Sequence, residues 1–315
     1  MIDLYPSIYT WRSRRGRTLG RVAAAVVLGI FLAACDNTEQ DYAPTIDPAD
    51  GTEAETVLFG IHPLHNPRKL NRVFGPLVDY LNANLKGSRF RLEASIDYPD
   101  FEQKLYAGKF EFALPNPLQT LKALDHGYRV FGKMADDEKF RGIFLVRRDS
   151  PVRALDDLRG KTISYPAKTA LAGAMMPQAF LQANGIDVSS ETTSNYVGSQ
   201  ESSIMNVAVG ASIAGATWPP VWEQFKREQP ELADQLEIRW QTEPLLNNAL
   251  VVRDDVPAEL ANRVATLIFA LQGSGEGRDI LTGMELSKFE PASSTTYEPV
   301  RRFLEKFNAT VRPIE

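Results

Sequence analysis

From residue 56 onward the apolar positions follow two periods in turn. Thr56–Ile61 (TVLFGI) is a short apolar run, the pattern of a strand covered on both faces, and it stops at His62-Pro63. Val73, Phe74, Leu77, Val78, Leu81 and Leu85 then recur at helical spacing and form one stripe. Phe90, Leu92, Ala94 and Ile96 alternate with polar residues, which predicts a half-buried strand. Phe101–Ala107 predicts a short helix closed by Gly108, and Phe110–Leu114 a strand ended by Pro115-Asn116-Pro117. Strand, helix, strand, helix, strand in that order implies a mostly parallel sheet with helices on its faces.

A strand over Gly142–Arg147 is broken by Asp149-Ser150-Pro151, and the alternation then restarts. Helices are predicted at Leu155–Leu158, from about Ala170 to Asn184, at Glu201–Val209 and at Val221–Arg227. Strands are predicted at Lys161–Ser164, Asn195–Val197, Ile213–Thr217, Leu236–Trp240 and Leu250–Arg253. Two helices close the chain, one with Leu260, Val264, Leu267, Ile268 and Leu271 on a face, the other with Val300, Phe303, Leu304 and Phe307. No short repeat recurs. The economical reading is two α/β halves of similar size, the C-terminus returning to the first. A chain of 315 residues suffices for two such halves.

The N-terminus has a different character. Five arginines (Arg12, Arg14, Arg15, Arg17, Arg21) precede the uncharged run Val22–Ala34, the layout of a secretory signal over residues 1–34. The run is shorter than the ~20 residues needed to span a bilayer. It ends in Leu32-Ala33-Ala34-Cys35, which resembles the lipobox of bacterial lipoproteins, and that resemblance implies cleavage before Cys35 and acylation of its thiol. Cys35 is the single cysteine, so no internal disulfide exists, and lipidation accounts for an exported chain with one thiol. Residues 35–55 are polar and acidic, as in a flexible tether. Removing residues 1–34 takes five arginines and one aspartate from totals of 35 and 40, leaving 30 basic and 39 acidic residues, a net charge of −9. That balance argues against a nucleic-acid partner and requires any anion to be held by a local site.

No catalytic constellation stands out. The histidines are His62, His65 and His126. His62 and His65 lie in a proline-containing segment with no third metal ligand close in sequence, so a loop beside a ligand cleft is preferred to a metal site. The Gly273-Ser274-Gly275-Glu276-Gly277 run follows a helix and reads as its stop, not as a phosphate cradle. The chain contains no G-x-S-x-G elbow. A binding protein is the expected class, not an enzyme, and no cofactor is indicated.

Several stretches resemble the phosphate/phosphite/phosphonate-binding proteins of bacterial ABC importers. They are Phe59-Gly60-Ile61, the segment Phe74 to Leu81, Asp97-Tyr98 through Ala113, Phe144 to Pro151 followed by Leu155 to Lys161, Gly198-Ser199-Gln200-Glu201, and Glu243 to Leu246. The resemblance implies an α/β chain of two Rossmann-like lobes joined by two crossover strands, the type II periplasmic-binding-protein fold. Lobe one would be 56–146 plus 248–315 and lobe two 147–247, with a hinge near Leu145–Arg147 and Asn247–Ala249, closing on a small anionic or polar ligand. It further implies a monomer partnered by an ABC permease, or alternatively by a membrane sensor without transport, and anchored by lipid at the periplasmic face of the inner membrane.

The family's hydroxyl-rich helix start falls at Ala170-Leu171-Ala172, so its side-chain donors are gone and a helix N-terminus remains, with Lys168 and Thr169 just before it. Gln200 stands where the family has histidine, and the family's amine-binding carboxylates fall near Pro220 and Asn248, which disfavours aminoethylphosphonate. The expected ligand-binding residues are His62, Asn116, Arg141, Lys168, Thr169, Gln200, Trp218 and Asn248, with Arg141 as the guanidinium best placed for a bidentate contact.

Overall fold

The computed structural model describes residues 55–314; the signal segment, Cys35 and the tether up to residue 54 lie outside them. Eleven strands form two sheets among these residues. The first contains β1 (Glu55–Ile61), β2 (Ser88–Glu93), β3 (Phe112–Leu114), β4 (Tyr128–Met134), β10 (Ala249–Arg253) and β11 (Phe289–Pro291). The second contains β5 (Ile143–Arg147), β6 (Thr162–Tyr165), β7 (Thr193–Tyr196), β8 (Ala214–Thr217) and β9 (Leu236–Gln241). The strand orders are β11-β4-β10-β3-β1-β2 and β7-β6-β8-β5-β9. In each sheet one antiparallel strand sits in the same slot: β10 between β3 and β4, and β5 between β8 and β9. The chain has just arrived from the other sheet at both of these strands.

β5 corrects the expected boundary. Residues 143–146 were assigned to lobe one, but the strand pairs with β8 and β9, so lobe two begins near Gly142. The crossovers are therefore residues 135–142 and 242–248, and Leu145–Arg147 lies inside a strand instead of at a hinge. The two crossovers are tied together: Asn247 donates its backbone N–H to Asp137 Oδ1 (2.9 Å) and its Nδ2 to the Ala135 carbonyl (2.7 Å). The tether also ends earlier than expected, because Glu55 already pairs with Ser88.

Helix α1 (Pro67–Asn84) begins six residues before the apolar stripe, where Asn66 accepts from Lys69 N and Pro67 takes the first turn, whose N–H has no helical partner. Its stripe Leu70, Val73, Phe74, Leu77, Val78 and Leu81 is buried, each large side chain contributing about 1.5–3 kcal/mol. β2 stops at Glu93, three residues before the alternation does, and Ile96 is exposed. Helix α2 (Tyr98–Tyr106) starts at the Asp97 cap and ends where Gly108 takes φ +70°, a conformation costly for other residues.

Helix α3 (Pro117–Leu124) and β4 were not anticipated. Pro115-Asn116-Pro117 read as a stop, but Asn116 and Gln119 form a capping box and Pro117 opens a helix. In lobe two, Leu171–Met175 is a π-helical turn running into α4 (Met176–Ala183). Pro177 has no N–H to return to the Gly173 carbonyl, which explains the widened turn. α5 (Gln200–Ala208) and α6 (Pro219–Glu228) follow β7 and β8.

Back in the first sheet at β10, the chain runs on through α7 (Ala258–Ala270) and α8 (Gly275–Gly283) to β11. The glycine run thus stops one helix and starts another, Ser274 capping Gly277 N. α9 (Glu298–Thr310) ends the fold. The C-terminus does more than return to lobe one: Arg312 beyond α9 donates to Gln178 Oε1 (3.0 Å) and to the Lys168 carbonyl (2.6 Å) of lobe two.

Candidate ligand-binding site

Parallel strands followed by helices place every strand-to-helix junction at the carboxyl end of its sheet, and open α/β folds bind ligands there. Here the two sets of junctions face one another around a cavity of about 210 Å3, its open mouth included. Lobe one contributes His62 and Leu64 after β1, Tyr98 after β2 and Asn116 after β3. Lobe two contributes Leu171 and Ala172 after β6, Gln200 after β7 and Trp218 after β8. Phe140 and Asn248 come from the two crossovers. The site is closed over: His62, Asn116, Gln200, Trp218 and Asn248 are 1–3% exposed.

Contacts between the lobes hold it shut. Lys69 of α1, itself buried, pairs with Glu201 of α5 and with Glu228 of α6 (2.7 Å), and Arg72 joins Glu228 at 3.1 Å. Asn116 Nδ2 donates to the Thr169 carbonyl (2.9 Å), and Gln200 Nε2 reaches the Tyr98 hydroxyl at 3.5 Å. Gly173 permits this closeness, since a Cβ there would stand 2.6 Å from Gln200 Oε1.

No Asp, Glu, Lys or Arg side chain lines the cavity. His62 is neutral: burial pushes its pKa down to about 4, partly offset by its bond to the Leu114 carbonyl. With Nδ1–H donated to that carbonyl (2.7 Å), Nε2 is left as the acceptor nitrogen. Burial raises the Tyr98 phenol well above its usual range, so it remains a hydroxyl able to donate. Of the residues lining the cavity, two carry a buried side-chain atom with no hydrogen-bond partner: Trp218 Nε1, a donor, and Asn248 Oδ1, an acceptor. The Asn248 Nδ2 has only the weak acceptor Met134 Sδ at 3.5 Å. Buried polar groups are rarely left unpaired, and both of these line the cavity. The first turns of α3, α5 and α6 add the partial positive charge of helix N-termini.

Five of the expected residues therefore come together: His62, Asn116, Gln200, Trp218 and Asn248. Three do not. Arg141 folds back to give its Nε to the Glu138 carbonyl (2.7 Å), because a 3-10 turn at Asp137–Lys139 precedes it. Lys168 is exposed and Thr169 half-buried, and their loop is packed by its carbonyls against Arg312 and Asn116. Tyr98 was missed as a site residue, although Asp97-Tyr98-Pro99 carries the cap signal of a strand-to-helix junction. His65 is buried beside His62, and among the described residues no group of three or more His, Cys, Asp or Glu is placed to hold a metal.

Over residues 59–297 the chain matches the family described as ABC transporter, phosphonate, periplasmic substrate-binding protein. The chain belongs to this family. It is 23% identical over 185 residues to the probable ABC transporter phosphite binding protein PhnD1 of Prochlorococcus marinus (strain MIT 9301), a match covering 55% of this chain and 62% of that protein. It thus spans under two thirds of that relative's length. Among solved structures, a binding protein component of an ABC phosphonate transporter from Pseudomonas aeruginosa superposes with a TM-score of 0.76 at 19% identity, covering 82% of this chain and 88% of the other. PhnD1 of Prochlorococcus marinus (MIT 9301) in complex with methylphosphonate gives 0.74 at 19% identity, with coverage of 81% and 99%. The alkanesulfonate-binding protein SsuA of Xanthomonas axonopodis pv. citri bound to MOPS is more distant, at 0.57 and 14%, with coverage of 82% and 94%. These likenesses establish the type II periplasmic-binding-protein fold. Members of the family are substrate-binding proteins and not enzymes.

Proposed function

We propose that the chain is the receptor of an ABC importer that captures a small oxyanion of the phosphonate, phosphite or phosphate kind in its singly protonated form. The observation that carries this reading is the pairing deficit of the closed cavity. Trp218 Nε1–H and the Tyr98 hydroxyl call for ligand oxygens that accept, whereas Asn248 Oδ1 and His62 Nε2 call for a ligand hydroxyl that donates. A monoprotonated phosphonate offers both; a sulfonate offers acceptors alone. One negative charge suits a cavity whose only positive features are helix N-termini, and a second would be buried without a counter-charge. A ligand with a cationic amine, such as aminoethylphosphonate, likewise meets no carboxylate here.

Calorimetric titration tests this. Methylphosphonate and phosphite should bind, methanesulfonate should bind at least ~10-fold more weakly, and methylphosphonate affinity should fall as pH rises through the ligand's own second pKa. His62 is already neutral above about pH 4, so it does not titrate in that window. Equal binding of the sulfonate, or a flat pH profile, would refute the protonated-ligand reading.

Export and anchoring belong to the same proposal. Leu32-Ala33-Ala34-Cys35 after a basic and then apolar segment supports cleavage before Cys35 and acylation of its thiol, with retention at the inner membrane. Cys35→Ser should abolish palmitate labelling, and undiminished labelling would exclude the anchor.

A further inference from the structure

Behind Leu64 and Trp218, which belong to the walls of both, lies a second cavity of about 250 Å3 including its mouth. Most of its wall is apolar, from Val73 and Phe74 of α1, Val221 of α6 and Met284. Besides the shared Trp218, two residues of that wall carry a buried polar atom without a hydrogen-bond partner: Gln224 (Oε1) and His65 (Nδ1). The Gln224 amide is oriented by its own donor end, since Nε2 gives a 3.0 Å bond to the Gly283 carbonyl. Its oxygen is therefore an acceptor awaiting a donor. His65 is held neutral, first by burial and then by the positive charges of Lys69 and Arg72, so its free nitrogen accepts or donates according to tautomer.

No carboxylate lines this cavity, and the Lys69 charge is felt at His65, so an ammonium group there would be buried with repulsion and without a counter-ion. A plain alkyl group would fit the apolar wall but leave both polar atoms unpaired. A carboxylate would face the Gln224 oxygen, acceptor against acceptor. A hydroxyl, one donor with two acceptor lone pairs, completes both atoms at once.

We propose that this second cavity is a side-arm subsite, which makes the receptor one for oxyanions bearing a short neutral arm that ends in a hydroxyl. The inference rests on reading the first cavity as the oxyanion site. The oxyanion occupies the first cavity, the arm passes between Leu64 and Trp218, and its hydroxyl donates to Gln224 Oε1 while meeting His65 Nδ1.

The test is calorimetry on the mature chain with methylphosphonate, ethylphosphonate, 2-hydroxyethylphosphonate and 2-aminoethylphosphonate. The hydroxyethyl compound should bind at least ~10-fold more tightly than the ethyl compound, and the aminoethyl compound should bind most weakly. Gln224→Met should bring the hydroxyethyl-to-ethyl ratio near one. Gln224→Glu should shift preference toward the aminoethyl compound by supplying the missing carboxylate. If methylphosphonate binds but the hydroxyethyl and ethyl compounds bind alike, the cavity holds water and the subsite is overturned while the oxyanion reading stands. If none of the four binds, the oxyanion reading fails and the subsite with it. The wild-type series decides the matter even where a Gln224 variant does not fold.

Discussion

From corresponding edges the two sheets run β2-β1-β3-β10-β4 and β7-β6-β8-β5-β9, the same order apart from the extra edge strand β11 beyond β4, yet their cavity ends are finished differently. In lobe one the junction side chains are committed to the fold. Asn116 completes a capping box and bridges to Thr169, His62 holds the Leu114 carbonyl, and Asp97 caps the turn that presents Tyr98. In lobe two, Trp218 occupies the N-cap of α6 without a side-chain cap bond, its indole N–H is unpaired, and the π turn after β6 has no side-chain cap either. One topology thus yields, on one side, a wall whose side chains already hold the fold together and keep only His62 Nε2 and the Tyr98 hydroxyl for a ligand, and on the other an indole donor with no bond at all. A receptor benefits from that asymmetry, because the indole is completed only when ligand is enclosed, whereas the side chains bonded to the fold need little ordering on closure.

The largest expected effect concerns the committed wall. The folded pKa of His62 is depressed to about 4 from 6.5, so its contribution to stability is complete above pH 6.5 and is lost as pH falls from 6.5 to 4, about 3 kcal/mol in all. Burial of His65 acts in the same direction. Chemical denaturation across that range should show the loss, and His62→Asn should flatten the profile; an unchanged profile would place His62 in solvent.

Next is the unmet side. Trp218→Phe retains a ring against Phe140 but removes the donor, so oxyanion affinity should drop roughly 10- to 100-fold while thermal stability changes little. A drop in stability without a drop in affinity would make Trp218 a packing residue only.

The contacts between lobes come third. Lys69→Met breaks the pairs to Glu201 and Glu228 across the cleft, but Glu228 is 40% exposed, so solvent screens part of the loss and roughly 1–2 kcal/mol is expected. Solution scattering should show a larger radius of gyration without ligand, and affinity should fall about 5- to 10-fold. Equal radii for variant and wild type would show that these pairs do not set closure.

The smallest effect isolates one bond. Asn116→Ser keeps an N-cap acceptor and loses the donor to the Thr169 carbonyl, so about 0.5–1 kcal/mol of stability should be lost, read as a small fall in melting temperature. A larger loss would mean that Asn116 orders the π turn as well.

The sequence alone carried the fold class and most of the element order, because each α/β unit declares itself through local periodicity: TVLFGI for β1, the Val73–Leu85 stripe for α1, the Leu260–Leu271 face for α7. It also pointed to residues just past strands, since junction position is a local property; His62, Asn116 and Trp218 stand at such junctions, whereas Gln200 and Asn248 came from the family resemblance, and all five line the cavity. α3 escaped because a proline pair reads equally as a stop and as a helix start, and only the capping box separates the two. Which sheet owns β5 was decided by pairing with β8 and β9, a long-range choice that the apolar run 142–147 cannot express. Arg141 had suitable chemistry, but a guanidinium on a loop goes where the nearest carbonyls send it, here to Glu138, and Lys168 sits exposed outside the cavity lining. The unpaired atoms of Trp218, Asn248, His65 and Gln224 were equally invisible, since a side chain lacks a partner only relative to everything packed around it, and that is fixed when the lobes meet.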